Sequence, residues 1–263
     1  MVKKIGFIGA GNMAYALAEA IIEKESGIQV NVFDIRPERM DLFAGDFARV
    51  NLKKGNRDLA VDSEVIFIAV KPQEIDMVLK EIGETEVVVI SIAAGITIKR
   101  LESSLPHARV FRVMPNTPCL VGEMAAAFAV GSRSTARDVE LAEKLLSYAG
   151  YVVKVKEEQL DAVTGLSGSG PAFIAYLAEA FISAGTGLGL SEKTARELTL
   201  KTIRGTSLLL EKSRMSPREL INMVSSPRGT TVAGREILES SDCSEIIRKT
   251  VAAAAARSKE LGR

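Results

Sequence analysis

The segment Val224–Thr231 (VSSPRGTT) has the composition of a loop that could bind an anion. Pro227 and Gly229 interrupt a half-chain whose pattern is otherwise helical. Thr230 or Thr231 is placed to cap the helix that follows. A helix start carries free N–H groups, which bind anions such as a carboxylate. The segment is therefore either an ordinary helix–helix connection with an N-cap or a site for a small anionic molecule.

A second pattern, near the N-terminus, is typical of a loop that binds a dinucleotide. A short apolar strand pattern leads into Gly9–Ala14 (GAGNMA), which matches G-x-G-x-x-(G/A). Gly9 permits the tight turn, Gly11 lets the backbone approach a pyrophosphate, and Ala14 allows the helix to pack closely on the strand. An apolar helix pattern follows, and then a second strand that ends in Asp34. Strand, glycine motif, helix, strand and acid in this order predict a dinucleotide site.

The residues around Asp34 leave the choice of cofactor open. Asp34 lies about 20 residues beyond the glycine motif, where an acid that binds the ribose is expected. Its carboxylate would accept the 2′-hydroxyl of NADH, whereas Arg36 and Arg39 would meet the 2′-phosphate of NADPH or simply begin a solvated helix. We expect Asp34 to make NADH usable and Arg36 to keep NADPH competitive. On this hypothesis Asp34→Ser moves the preference toward NADPH, because it removes repulsion of the phosphate.

Composition limits the other possibilities. The 263 residues carry 34 basic and 33 acidic side chains without a basic block, so no nucleic-acid partner is expected. Cys119 and Cys243 lack metal-ligand spacing and are expected to be reduced thiols of a cytoplasmic protein, with no metal. The one histidine, His107, follows a proline in an expected surface turn and is a poor candidate for catalysis. No stretch reaches the roughly 18 apolar residues of a membrane span.

A signal peptide is the alternative interpretation of the N-terminus. Lys3 and Lys4 precede the apolar run, and the segment 18–20 resembles a cleavage site. Asn12 and three glycines interrupt the apolar region, however, and the strand-to-helix pattern explains it better.

The first half of the chain alternates strands and helices. Such alternation predicts a doubly wound α/β fold of Rossmann type, with a largely parallel sheet covered by helices on both faces. Ligands of such folds bind beyond the carboxyl ends of the strands. Four loops are expected at that edge: Gly9–Met13, Val70–Pro72, Ala93–Gly95 and Met114–Thr117.

From Glu157 onward the pattern changes to long helices without strands. We therefore predict a dinucleotide-binding domain over residues 1–156 and an all-helical C-terminal domain over residues 157–263. Leu208–Leu210, the alanine run of residues 251–256 and the apolar segment 166–180 give this half more small and apolar surface than one helical domain buries, which favours an obligate homodimer.

Five segments resemble the Δ1-pyrroline-5-carboxylate reductase family, and the resemblance covers essentially the whole chain. The segments are Gly6–Met13, Ala69–Pro72, Met114–Pro118, Asp161–Ala172 and Val224–Pro227. The first is shared with many dehydrogenases, whereas the last two are far more particular to this family. Arg228 and Thr230 depart from the Gly and Ala that the family pattern leads us to expect, while Gly229 and Thr231 match.

The resemblance implies an enzyme that transfers hydride from the nicotinamide of NADPH or NADH to the C5=N imine of 1-pyrroline-5-carboxylate, giving L-proline. It implies that the loop from Ser226 to Thr231 holds the substrate carboxylate, that Val224 packs on the ring and that the Thr231 hydroxyl lies near the ring nitrogen as the catalytic group. Candidate substrate-binding residues are Val224, Ser226, Gly229, Thr230 and Thr231. Candidate cofactor-binding residues are Gly9, Ala10, Gly11, Asn12, Met13, Asp34, Arg36, Asn56, Ala69, Val70, Lys71, Pro72, Ala94, Gly95 and Asn116, with Asn56 at the adenosine end.

The resemblance also implies a homodimer with interlocked helical domains, and a decamer built of dimers is the larger alternative. Two other functions compete with this interpretation. A β-hydroxyacid-type dehydrogenase would share the glycine motif and a helical second half, but it relies on a lysine in the first long helix, and residues 171–188 contain none. A redox sensor that binds a dinucleotide without a substrate would leave the Val224–Thr231 segment unexplained.

Overall fold

Eight strands form a single sheet in the computed structural model, which describes residues 2–262. The strand order is β3-β2-β1-β4-β5-β6-β7-β8. All neighbouring strands are parallel except β6 and β7, which are antiparallel. The strands are β1 (Lys4–Ile8), β2 (Gln29–Phe33), β3 (Val50–Leu52), β4 (Val65–Ile68), β5 (Val88–Ser91), β6 (Arg109–Met114), β7 (Met124–Val130) and β8 (Gly150–Lys154). The predicted doubly wound architecture is therefore confirmed.

Two apolar cores cover the two faces of this sheet, because successive strand residues point to opposite sides. In β1, Ile5 and Phe7 belong to one core and Ile8 to the other. The first core is centred on aromatic rings, and Phe7 stacks on Phe67 with ring centroids 4.8 Å apart. The second core consists mainly of aliphatic side chains.

Seven helices accompany the sheet. α1 (Asn12–Lys24), α2 (Pro37–Asp46) and α6 (Ala136–Ser147) contribute to the first core. α3 (Asn56–Val61), α4 (Ile75–Glu81), α5 (Ile98–Ser104) and α7 (Leu160–Val163) contribute to the second. A π-helical turn, Thr164–Gly168, continues α7 directly. Its Gly165 is required because an added Cβ would lie 2.5 Å from the Val251 carbonyl oxygen.

The remaining helices are α8 (Gly170–Gly187), α9 (Glu192–Ser213), α10 (Pro217–Met223), α11 (Thr230–Glu239) and α12 (Cys243–Leu261). The Ser191 hydroxyl caps α9, and Ser216 and Glu219 form a capping box at the start of α10, as their positions before each helix predict. Among residues 2–262, no helix combines the length and the apolar character needed to cross a membrane.

Two compact units divide these elements. One contains the residues up to Ser169 together with those from Val251 onward, and the other contains Gly170–Thr250. The end of α12 belongs to the first unit, where the Ser258 hydroxyl donates to Asp161 Oδ1 over 2.7 Å. These limits differ from residue 156, and the division into a dinucleotide-binding domain 1–156 and a helical domain 157–263 stays a prediction.

Candidate functional site

The glycine loop after β1 has a backbone conformation that requires glycine at position 9. Gly9 has a φ of 93°, and an added Cβ would lie 2.7 Å from the Ala69 carbonyl oxygen. Its N–H donates to the Phe33 carbonyl over 2.8 Å, which ties the loop to the end of β2. Gly11 is the N-cap of α1, and apart from the adjacent backbone no atom of the described residues lies within 4 Å of the position a Cβ would take. The open side of Gly11 is thus free for another molecule to approach the backbone.

The start of α1 fits an anionic group. No side chain caps this helix, and its first turn contains no acid. The free N–H groups and the positive end of the helix dipole therefore favour a phosphate there. Arg39 braces the loop, because its Nε donates to the Ala10 carbonyl over 2.8 Å and its Nη2 donates to Asn12 Oδ1 over 2.9 Å. Met13 is the second residue of α1 and is half-buried.

Asp34 lies buried at the end of β2, with 7 % of its surface exposed. It accepts the Ala10 N–H over 2.7 Å and pairs with the Arg36 guanidinium, whose Nε lies 3.0 Å from Oδ1. Burial raises the pKa of Asp34, but the hydrogen bonds from Arg36 and from the Ala10 amide lower it more, so the net pKa is below the ordinary value. Asp34 is therefore a charged carboxylate that the protein already partners.

Asn56 provides the clearest sign of a missing partner. It is 5 % exposed, and its Nδ2 donates to Glu81 over 2.9 Å, but its Oδ1 has no hydrogen-bond partner within the described residues. Buried polar atoms are rarely left unpaired. Asn56 lines a cleft together with Gly9, Asp34 and Val70. A ligand donor in this cleft would satisfy the amide, so the residues present fit the adenosine end of a dinucleotide.

The predicted residues after β4 and β5 also lie at the carboxyl edge of the sheet. Ala69 and Val70 are half-buried, whereas Lys71, Pro72 and Ala94 are exposed. Gly95 has a φ of 76°, and an added Cβ would lie 2.8 Å from the Leu261 carbonyl oxygen at the end of α12. Both the backbone conformation and the close approach therefore require glycine at this position.

The side chain of Asn116 has two hydrogen-bond partners within the first unit. Its Oδ1 accepts the Ala125 N–H over 2.9 Å, and its Nδ2 donates to the Ser167 carbonyl over 3.1 Å. The side chain thus fastens the loop after β6 to β7 and to the π-helical turn. A contact of Asn116 with a cofactor stays a prediction.

Sequence reasoning missed Arg112, which lines a cavity of about 270 Å³ beside the Ala93–Gly95 loop. The Arg112 side chain is only 11 % exposed, and its Nη1 lies 2.9 Å from Glu157 Oε1. The same carboxylate oxygen accepts the Ile98 N–H at the start of α5 over 2.8 Å. The available signal was an arginine between the apolar residues Phe111 and Val113 of β6, but its partner is 45 residues away in the sequence.

In the second unit, the loop before α11 contains a tight turn. The Gly229 N–H donates to the Ser226 carbonyl over 2.9 Å, with Pro227 and Arg228 between them. Arg228 has a φ of 58°, the left-handed region that favours glycine. An added Cβ on Gly229 would lie 2.4 Å from Ser226 Oγ. The expectation of Gly at position 228 therefore has a physical basis in this turn.

The expected threonine cap of α11 is wrong. Gly229 is the N-cap, and no side chain caps the helix. Thr230 and Thr231 instead occupy the first turn, where both are exposed, and Val224 is 51 % exposed before the loop. No side chain therefore accepts the first N–H groups of α11, and the two threonine hydroxyls do not cap the helix. The loop itself is held by Ser225, whose hydroxyl donates to the Ile221 carbonyl over 2.6 Å.

The cysteines and the histidine lie outside these two regions. Burial raises the pKa of the Cys119 thiol to about 11, so it is a protonated core residue. His107 is exposed in a turn.

Comparison with known proteins places this geometry in a family. Residues 157–261 match the family described as pyrroline-5-carboxylate reductase dimerisation, and residues 4–95 match the one described as NADP oxidoreductase, coenzyme F420-dependent. A pyrroline-5-carboxylate reductase from Synechocystis is 36 % identical over 264 residues, covering 99 % of this chain and 98 % of the relative.

Solved structures agree with this assignment. A pyrroline-5-carboxylate reductase from Coxiella burnetii is 34 % identical, with a TM-score of 0.94 and full coverage of both chains. A pyrroline carboxylate reductase from Plasmodium falciparum, solved with NADP bound, is 30 % identical, with a TM-score of 0.87 and coverage of 100 % and 98 %. The predicted fold class and the oxidoreductase class are confirmed, and the chain belongs to the pyrroline-5-carboxylate reductase family.

Proposed function

We propose that this chain reduces 1-pyrroline-5-carboxylate to L-proline with NADPH or NADH, which would be the last step of proline synthesis. The observation that carries the proposal is the uncapped start of α11, where two exposed hydroxyls follow a glycine N-cap. A free helix start can bind a carboxylate. The relative that is 36 % identical over nearly the whole chain is a pyrroline-5-carboxylate reductase, whose name gives an imine with a carboxylate as the substrate.

The first unit would hold the cofactor. Gly9, Ala10, Gly11, Asn12 and Met13 would surround the pyrophosphate, with Asp34, Arg36 and Asn56 at the adenosine end. The segments Ala69–Pro72 and Ala94–Gly95, with Asn116, would hold the nicotinamide end. When bound, the reduced cofactor supplies the hydride, and the protein supplies position and electrostatics.

The second unit would hold the substrate. The N–H groups of the first turn of α11 would bind the carboxylate, assisted by Ser226, Gly229 and Thr230. Val224, half-exposed beside this loop, would pack on the ring. The Thr231 hydroxyl both donates and accepts, so it would hydrogen-bond the imine nitrogen and later the amine nitrogen. An imine accepts hydride best when its nitrogen is protonated or hydrogen-bonded, so no histidine is required.

The oligomer we propose is a homodimer formed through the helical half. A decamer of dimers would be the larger assembly built from it. Within the second unit, several large apolar side chains on α8, α9 and α11 are exposed: Tyr176, Phe181, Leu198 and Ile237. Exposed apolar surface of this kind marks an interface. Light scattering at about micromolar concentration should give at least twice the chain mass, and a monodisperse active monomer would contradict it. A cytoplasmic location stays a prediction.

The test is turnover of 1-pyrroline-5-carboxylate, followed as loss of the absorbance of the reduced nicotinamide. We expect oxidation of NADPH or NADH that depends on the imine. Oxidation of a β-hydroxy acid with NAD⁺ or NADP⁺, and no imine reduction, would favour the alternative dehydrogenase, although α8 contains no lysine for it. Nucleotide binding without turnover of either substrate would favour the sensor.

A further inference from the structure

We infer that Asp34 promotes binding of NADPH by holding Arg36 in place for the 2′-phosphate, and does not act as an acid that selects NADH. This inference rests on the proposed function, because it concerns the adenosine end of the same cofactor site. It reverses the direction of effect that an acid at the end of β2 ordinarily predicts.

The hydrogen bonds of Asp34 are the first step. Oδ2 accepts the Ala10 N–H over 2.7 Å and the Arg36 Nη2 over 3.0 Å. Oδ1 accepts the Arg36 backbone N–H over 2.9 Å and the Arg36 Nε over 3.0 Å. Two carboxylate oxygens offer about four lone-pair sites, so this carboxylate has no site left. A ribose hydroxyl could bind it only by displacing one of these donors.

The charge of Asp34 is the second step. The carboxylate is buried, and the guanidinium pairs with it through two parallel N–H···O bonds, an arrangement that is strong and specific in geometry. A 2′-phosphate would therefore meet a neutralised pair rather than a free negative charge. The repulsion between the Asp34 carboxylate and the 2′-phosphate, on which selectivity for NADH depends, is therefore weaker.

The third step is that the Asp34–Arg36 pair exposes part of the guanidinium to a ligand. The Arg36 side chain is 51 % exposed, and its Nη1 is not used in any hydrogen bond to the described residues. A guanidinium remains charged at all working pH values and suits a phosphate. Arg39 is less available, because the Ala10 carbonyl and Asn12 already occupy its Nε and Nη2. Glu38 and Glu74 also act on Arg36 and oppose a phosphate, so the attraction must come from Arg36.

The experiment titrates NADPH, NADH, 2′,5′-ADP and 5′-AMP onto the full chain by calorimetry. Arg36→Ala should weaken NADPH and 2′,5′-ADP by roughly tenfold, the scale of one charge-assisted contact, and should change NADH and 5′-AMP by less than about threefold. Asp34→Asn should weaken NADPH relative to NADH by about threefold or more. Asp41→Asn, which removes an exposed acid from α2, the helix that follows Arg36, should change neither ratio by more than about twofold.

Three results would overturn the inference. One is tighter NADPH binding by Asp34→Asn, which would restore Asp34 as a selector of NADH. Another is an Arg36→Ala variant that keeps parental affinity for 2′,5′-ADP, and this exposed substitution keeps the inference testable even where Asp34→Asn fails to fold. The third is a parent protein that binds none of the four nucleotides, which would also remove the proposed function, whereas the first two results leave it standing.

Discussion

In the glycine loop of the first unit, the backbone groups of Gly9 and Ala10 have partners elsewhere in that unit, whereas the loop before α11 has a single backbone bond within itself. The Gly9 N–H, the Ala10 N–H and the Ala10 carbonyl bond to Phe33, Asp34 and Arg39, respectively. The loop before α11 has one internal turn bond, from the Gly229 N–H to the Ser226 carbonyl, and an arginine in left-handed conformation. Its other tie is the Ser225 hydroxyl, which donates to the Ile221 carbonyl. The first loop is held in a fixed backbone conformation, while the second leaves the N–H groups at the start of α11 and the hydroxyls of Thr230 and Thr231 available for a ligand.

This contrast has a physical cause. A cofactor that many enzymes share needs a fixed backbone surface, which internal hydrogen bonds provide. A substrate that changes its bonding during the reaction needs donors that no protein group occupies, and exposed helix starts provide them. The two loops should therefore respond differently to substitution.

The largest effect is expected for Gly9→Ala. The positive φ and the clash with the Ala69 carbonyl should together lower the free energy of unfolding by roughly 3 kcal/mol. Denaturant unfolding measures this loss. A variant that unfolds at the parental midpoint would show that the backbone of the glycine loop is not fixed in a conformation that requires Gly9.

Gly11→Ala sharpens the same comparison, because it changes the same loop at a position where a Cβ meets nothing. We expect the free energy of unfolding to stay within about 0.5 kcal/mol of the parent, as for a substitution without a lost contact. Affinity for NADPH should nevertheless fall by roughly tenfold, because the methyl group takes the space into which the pyrophosphate approaches. Unchanged calorimetric affinity would place the pyrophosphate elsewhere.

An effect of similar size to the affinity loss of Gly11→Ala concerns the strained turn of the second loop. Arg228→Gly should relieve the left-handed conformation, whereas the β-branched Arg228→Val should worsen it. The glycine variant should unfold at a free energy about 1 to 2 kcal/mol higher than the valine variant. Equal stability of the two variants, measured in denaturant, would mean that this turn relaxes without cost.

The elements of the Rossmann unit could be predicted because their signals are local. Apolar runs of four to seven residues, each followed by turn-forming residues, marked β4 and β5. Strand direction has no such signal, and the antiparallel pairing of β7 with β6 emerges only from the fold.

The candidate site was less predictable, because its polar side chains find partners across the chain. The positions of Asp34 and Asn116 at strand ends were informative, but their bonds to Ala10 and to the Ser167 carbonyl span 24 and 51 residues. The N-cap of α11 was misassigned because Gly229 and the threonines after it are all acceptable at a helix start.

The most direct test of the account is the turnover of Thr231→Ala compared with Thr231→Ser. We predict that the alanine variant loses roughly tenfold or more in kcat, the order expected for one positioned hydrogen-bonding group, while its affinity for NADPH is unchanged. The serine variant keeps the hydroxyl and should retain most activity. An alanine variant that reduces 1-pyrroline-5-carboxylate at the parental rate would contradict the assignment of the chemistry to Thr231 at the start of α11.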